Sequence, residues 1–520
     1  MVRIPYTAAI CGVLAGALLP LEAGAQQSQD GQPESGLEEI IVTAQKREQR
    51  LQDVSLSISV LDEATIEDAG VDEVDDIVLL TPGLDFSQTL GRQNTQPLIR
   101  GIAPTFLTDP TVVVLVDGFT LGFTRLVNNS LLFDLERIEV LKGPQATLYG
   151  RNALGGVINY ITTPSSDTFG GMLGAEYGSY DSFELNASVT GPLAETLSGR
   201  VTAGMRSMGG YLDNQFDGAE DVNDEEDVSV RGSLRWVPTD DLEFDFTATY
   251  GEGEDGCGDC SHISSVYDRT DPDRFLEIGA GLVDFNDTTQ TTNMSFLGGY
   301  DREDLTVSLN TTWSLPNVTM TSITGYGYID AVLDGDSNGP SVGSFIPGVD
   351  GYTVPIYLRG FSEELRLGSS DDGGLTWLTG LYAYRSTSDS SLYFGPARLT
   401  GNERKITNYA GFANAEYPLT EFFSVALGLR YDYEEQVFFN KLSGGVTERT
   451  ASEWLPRVSV SFRPNDQVHW YVTASRGYHA GGFNDPRAPD SEYDSEYVWN
   501  YEVGLKAGFL DNRMQAQVTA

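Results

Sequence analysis

The sequence predicts an exported chain in two parts: a small α+β domain and, behind it, a long antiparallel β-barrel that crosses a membrane with strands. Three observations predict this. The chain opens with an export signal. From Phe169 onward, apolar and polar residues alternate in segments of about ten, the span of a tilted transmembrane strand. The connections between those segments alternate short and long.

Composition sets the bounds. The chain has 520 residues, with 32 Lys+Arg against 76 Asp+Glu, a net charge of −44. That excludes a nucleic-acid binder, which needs cationic surface for phosphate, and a Lys/Arg-rich amphipathic anchor. Gly, Tyr and Phe are abundant (57, 25 and 24), a β-rich profile. No apolar run beyond the first residues is long enough for a membrane helix. A membrane protein of this profile must satisfy its strand backbones in a closed barrel.

Residues Met1 to Ala25 carry the export signal: Arg3, an apolar core Ala8–Leu19, and small residues Ala23-Gly24-Ala25 at the cleavage site. Cleavage removes Cys11 and leaves Cys257 and Cys260, a C-x-x-C in a Gly-rich acidic stretch. Past an export signal this pair is expected as a small disulfide loop. A redox or zinc pair is the sharper alternative, but no second ligand pair accompanies it, so no metal site is expected.

Residues 26–44 form a polar lead that ends in a short β-prone segment, Glu39-Ile40-Ile41-Val42-Thr43-Ala44. Its position suits an edge strand offered to a partner. The α+β domain is expected over 45–165. Val54–Leu61 alternates as a strand, Asp62 caps a helix over Glu63–Ala69, and Val71–Leu80 gives a second helical patch. Gln96–Ile102 and Val112–Phe119 are further strands, the second apolar enough to be buried on both faces. The domain closes on Leu135–Pro164, LERIEVLKGPQATLYGRNALGGVINYITTP. Ile138 and Val140 alternate with Glu139, Gly143-Pro144 stops the strand, and Val157–Ile161 is a second one. Alone, this is a strand–connection–strand unit that any globular protein could carry. Its glycines suggest a phosphate cradle, but no Gly-Lys-Ser/Thr follows them.

The barrel segments alternate clearly. Phe183, Leu185, Ala187 and Val189 face one way, and Glu184, Asn186, Ser188 and Thr190 the other. Val230, Leu234 and Trp236 oppose Ser229, Arg231, Ser233 and Arg235; Val458, Val460 and Phe462 oppose Ser459, Ser461 and Arg463. Short turns fall at Pro192–Leu197, Pro238–Asp241, Pro316-Asn317, Ser370–Gly374, Pro418–Glu421, Pro464–Gln467 and Leu510–Arg513. Long polar loops are expected at Ser207–Asp227, Gly251–Asp304, Asp330–Pro355, Arg385–Lys405, Glu434–Ser452 and Gly477–Ser495. Bacterial outer-membrane barrels have this asymmetry, with short periplasmic turns and long outside loops.

ERIEVLKGP followed by LYGRNALGGVINYIT resembles the end of the plug domain of TonB-dependent outer-membrane receptors. TPGLDF, LIRGI and VLVDGF resemble the plug's earlier motifs in the same order. FSEELRLGS, TWLTGLYAY, GFANAEYPL, ASRGYHAGGFN and NYEVGLKAGFLDNR resemble that family's barrel segments. The resemblance implies a signal peptide, an α+β plug domain and an antiparallel transmembrane barrel over 166–520. It implies that Glu39–Ala44 is the TonB box, which pairs with the inner-membrane energy transducer. The plug-motif positions it implies are Arg100, Gly101, Asp117, Gly118, Arg137, Glu139, Lys142, Gly143, Pro144, Tyr149, Gly150, Arg151, Asn152, Gly155 and Gly156. Barrels of this type use 22 strands. About fifteen are counted by Ala520, and the expected C-terminal aromatic residue is absent. The chain is therefore expected to be truncated and its sheet open, with no pairing between Phe169–Tyr177 and Met514–Ala520.

The implied function is uptake of a scarce solute, most often a ferric siderophore in this family, with vitamin B12 or a saccharide as alternatives and a non-functional receptor fragment as another. Loop-side plug positions expected near the ligand are Gln88 to Arg92, Thr105 to Asp109 with Phe106, and Phe119 to Arg125. The acidic loops alternatively form a solvated face that binds divalent cations bridging lipopolysaccharide. The implied partners are the transducer with its inner-membrane complex, the outer membrane with its lipopolysaccharide, and the solute; no nucleic acid and no cofactor are expected, and the chain is expected to be a monomer. No catalytic residue is expected, because His262, His469 and His479 sit in no Ser/His/Asp or metal-ligand spacing.

Overall fold

The computed structural model describes residues 40–71, 74–88, 95–103, 109–120, 132–214, 222–257, 291–292, 297–336, 351–370, 374–484, 490–510 and 513–520. The export signal, Glu39, Arg92, Phe106, Arg125 and Cys260 lie outside them. Cys257 is buried and disulfide-bonded.

A five-stranded sheet forms the centre of the N-terminal part, in the spatial order Ile58–Asp62, Leu135–Lys142, Gly156–Thr162, Val112–Val116, Phe119–Thr120. Leu135–Lys142 and Gly156–Thr162 pair directly and antiparallel, while Val112–Val116 runs parallel to the latter. The all-apolar Val112–Val116 is buried on both faces, as expected. Val112, Val114 and Val116 pack with Ile66, Ile77 and Ile138 under the helices. Val113 and Leu115 pack with Val42, Val54 and Val157 on the other side. Each such side chain contributes about 2 kcal/mol by leaving water. The first helix, Glu63–Ala69, starts where expected: the Asp62 carboxylate accepts from the Thr65 N–H at 2.8 Å. The second is shorter than expected, Val74–Leu80. A third, Ala146–Tyr149, gave no sequence signal because it spans one turn and has no side-chain cap.

Beside four two-stranded ladders, a second large sheet of 15 antiparallel strands runs from Gly170–Tyr177 to Met514–Thr519, each strand pairing with the next. Those two strands are its edges and do not pair with each other. The alternation places polar residues inside and apolar residues outside. Arg231, Ser229, Arg430, Asp432 and Ser459 are buried toward the lumen, while Val189, Leu234, Leu427 and Val460 are exposed on the outer wall. This inversion is what lipid requires. Trp236, Trp313, Phe423 and Trp470 ring the wall near the short turns, and Tyr433, Trp454 and Tyr497 ring it higher up. Along one strand, Phe423 to Tyr433 spans about 25 Å once tilt is allowed for, the height of an apolar band between two aromatic girdles.

Two expected loops are corrected. Arg385–Lys405 is mostly strand, because Thr376–Phe394 and Ala397–Pro418 meet in a tight turn. Glu434–Ser452 likewise belongs largely to Phe423–Asn440 and Val446–Asn465. Beyond the apolar band a strand pair can continue in water, where nothing demands that apolar and polar residues alternate.

Candidate functional site

The stretch 142–156 packs closely both within the plug and against the barrel wall, with glycines where a side chain would not fit. Gly150 has φ +80°, and a Cβ there would lie 2.6 Å from the Arg430 guanidinium. A Cβ on Gly156 would lie 2.2 Å from the Leu141 carbonyl oxygen. Lys142 donates to the Pro82 carbonyl at 2.7 Å, and burial with the nearby Arg100 charge holds its ammonium below the usual lysine range. Arg100 pairs with Glu502 of the wall at 2.9 Å, next to Gly101, and Glu502 also accepts from the Ser57 N–H at 3.1 Å. Pro144 abuts Gly477 of the wall. Asn152 donates its N–H to the Tyr478 carbonyl and accepts from Ala480, both at 3.2 Å. Gly155 donates to the Thr111 carbonyl at 2.8 Å. Asp117 sits in the turn before Gly118 and accepts from the Thr162 N–H and hydroxyl at 2.9 Å each, and burial raises its pKa.

On the short-turn side the N-terminal segment is folded back. Ile41–Val42 pairs antiparallel with Gln49–Arg50, and Val42 and Ala44 are fully buried. Glu139, also fully buried, is held by Arg137 at 2.9 Å and accepts from the Thr43 N–H at 2.9 Å. A buried carboxylate needs such partners. The Tyr149 hydroxyl donates to the Ala44 carbonyl at 3.1 Å. The Lys46 ammonium meets Glu364 of the wall at 2.5 and 2.6 Å, between the Tyr149 and Phe412 rings. Burial lowers its pKa to about 8 against the pull of Glu364. Arg366 donates to the Lys46 carbonyl at 3.2 Å, and Arg47 pairs with Glu416 at 3.2 Å.

Toward the long-loop side, Asp109 is the hub. Its carboxylate is gripped by both terminal nitrogens of Arg404, at 2.6 and 3.0 Å, and by Arg151. Burial would raise this carboxyl, but the two guanidinium groups outweigh it and hold it well below the usual carboxylate range. Its backbone carbonyl lies 2.8 Å from His479 Nε2. Arg151 also meets Glu434 at 2.7 Å, and Arg404 donates to Gln436 at 2.9 and 3.2 Å. Arg404 and Glu416 share one strand, roughly 30 Å apart along the barrel once tilt is allowed for. The two clusters therefore occupy opposite halves of the lumen. Tyr149 and Arg151, two residues apart, reach one each.

Among the ligand-side positions expected from sequence, Asp109 faces the upper lumen. Phe119 does not: it is 1% exposed and fills the space above Gly325 of the wall, so its ring is packing rather than open surface. Gln88 ends the strand Leu84–Gln88. The wall partners Glu364, Glu416, Arg404, Glu434, His479 and Glu502 were missed. Their only sequence signal is charge at lumen-facing positions of the alternation.

Comparison with known proteins agrees with this architecture. A family model for the TonB dependent receptor-like β-barrel matches residues 262–520, and one for the TonB-dependent receptor plug domain matches 50–157. The pesticin receptor of Yersinia pestis is 26% identical over 525 residues, covering 97% of this chain and 72% of that protein. The vitamin B12 transporter BtuB of Vibrio vulnificus is 32% identical over 176 residues, 33% of this chain and 28% of that one. In structure, the ferric yersiniabactin uptake receptor FyuA from Yersinia pestis superposes with a TM-score of 0.73 at 20% identity, covering 89% of this chain and 71% of that one. The ferripyoverdine receptor of Pseudomonas aeruginosa gives 0.74 at 17% identity, covering 94% and 66%. With a plug inside a wall that is apolar outward and charged inward, the chain belongs to the TonB-dependent receptors of the outer membrane.

Proposed function

We propose that this receptor imports a ferric siderophore, with Glu39–Ala44 as the segment that the inner-membrane transducer takes up. The observation that carries the reading is the Tyr149-Gly150-Arg151 turn. Arg151 holds the Asp109 cluster on the outer half, and Tyr149 holds the Ala44 carbonyl and flanks Lys46 on the periplasmic half. A ligand that disturbs the upper cluster moves a three-residue lever whose other end grips the N-terminal segment. Released, Ile41–Val42 presents an unpaired edge that a partner strand can extend. The structures named as ferric yersiniabactin and ferripyoverdine receptors support an iron complex as the cargo.

The test is growth of a deletion strain under iron starvation on single defined siderophores, with the gene restored as control. Loss of growth on one ferric complex, regained on complementation, supports the reading. Unchanged use of every iron complex, together with lost growth on a sugar, refutes it. The similarity to BtuB over a third of the chain motivates a second arm with vitamin B12 as the limiting nutrient.

A further inference from the structure

The Asp109 cluster has the form of an anion site that holds its own plug carboxylate. Arg404 presents a planar fork, and Asp109 fills it with two parallel contacts at 2.6 and 3.0 Å. We propose that an incoming iron(III) chelate with free carboxylate or phenolate oxygens takes Asp109's place on Arg404. The proposal rests on the receptor reading above and adds the chemical class of ligand and the group that first holds it.

Four features support the exchange. Arg404 stays in position without Asp109, because Gln436 accepts from its Nε and Nη2. Asp109, once displaced, keeps Arg151, so no buried charge is left alone. The side chains of Arg404 and Asp109 are 19% and 16% exposed, open enough to reach and dry enough for charge to count. Charge is also uneven around the rim. Residues 207–227 carry acidic side chains and no Lys or Arg, whereas 385–405 carry Arg385, Arg398, Arg404 and Lys405 against Asp389 and Glu403. An anion is therefore steered to the Arg404 side of a strongly acidic protein.

The exchange transmits because Asp109 is tied into the plug. The N–H groups of Leu154 and Gly155 bind the Thr111 carbonyl two residues on, while His479 of the wall lies at the Asp109 carbonyl. Leu154 and Gly155 continue directly from the Arg151 turn. Removing the Arg404 grip takes away the bidentate wall contact of the Asp109–Arg151 pair and leaves Glu434 and His479 as its remaining wall partners, so the pair is held less tightly to the wall.

The experiment measures binding to the full chain in detergent by intrinsic fluorescence quenching. The probes are the anionic ferric complex of 2,3-dihydroxybenzoate and the cationic ferrioxamine B. Asp109→Asn removes the internal competitor and should bind the anionic complex at least tenfold more tightly than wild type. Arg404→Gln should bind it at least tenfold more weakly, and Arg404→Lys should fall between. Each variant must keep a cooperative melt, which separates loss of the site from loss of the fold. Equal binding of the anionic complex by wild type, Asp109→Asn and Arg404→Gln overturns the exchange, and so does its failure to bind any of them. If ferrioxamine B binds while the anionic complex does not, the exchange site falls and the receptor reading stands.

Discussion

Glu364→Gln should unlatch the N-terminal segment. Lys46 and Glu364 are 8% and 11% exposed, so their attraction is little screened. Removing the carboxylate leaves a buried ammonium between two rings with Arg366 close by. Breaking a buried pair from one side costs about 3–5 kcal/mol. The lower figure raises the undocked population roughly a hundredfold. A nitroxide at Ile41→Cys, a position 40% exposed and so tolerant of a label, reports docking through its mobility. Wild type should give an immobilised spectrum, and Glu364→Gln a mobile one. The pH response has a fixed sign. The docked pKa of Lys46, about 8, lies below its ordinary value of 10.5, so the undocked segment binds more protons between them. Docking therefore tightens as pH rises from about 8 to 10.5, by at most about 3 kcal/mol, and carries the full penalty below pH 8. An Ile41 spectrum unchanged by Glu364→Gln, or one that grows more mobile through that pH window, refutes the reasoning.

Other substitutions separate the remaining contacts. Tyr149→Phe removes one hydrogen bond to the buried Ala44 carbonyl and should loosen the same label by about 1–2 kcal/mol, read as a partial gain in mobility. Gly150→Ala adds strain at positive φ and drives a methyl into the Arg430 guanidinium, so the plug should become protease-sensitive with a loss of about 2–4 kcal/mol; a wild-type digestion pattern contradicts the packing described. Leu427→Arg places a cation on the lipid-facing wall and should cost about 2–4 kcal/mol in a vesicle folding titration, whereas a neutral outcome argues that this face does not meet lipid.

The parts legible in the sequence are those whose surroundings impose a strict pattern. Lipid outside and a polar lumen inside force alternation, so the Val458–Phe462 and Phe183–Thr190 faces could be assigned from residue type alone. Asp62 announced its helix because the cap is local. Where the constraint ends, so does the signal. The strands around Arg385–Lys405 and Glu434–Ser452 continue above the membrane, and their polar, glycine-containing sequences looked like loops. Phe119 looked like a ligand-facing aromatic because nothing in its vicinity reveals the gap above Gly325. The upper cluster joins Asp109 to Arg404, 295 residues away, and no local pattern carries such a pairing. Charge on the inward register of the barrel was the available hint, and it names candidates without naming their partners.

In the proposed uptake cycle, ligand binding on the outer half and transport driven from the N-terminal segment are separate events coupled through the plug. The most direct test compares binding and accumulation of radioactive iron–siderophore in the same cells, for wild type, Ile41→Pro and a strain lacking the transducer. Proline cannot donate to an added strand, so Ile41→Pro should bind the complex as wild type does and accumulate none above the transducer-null level. Accumulation that survives either change would contradict the account.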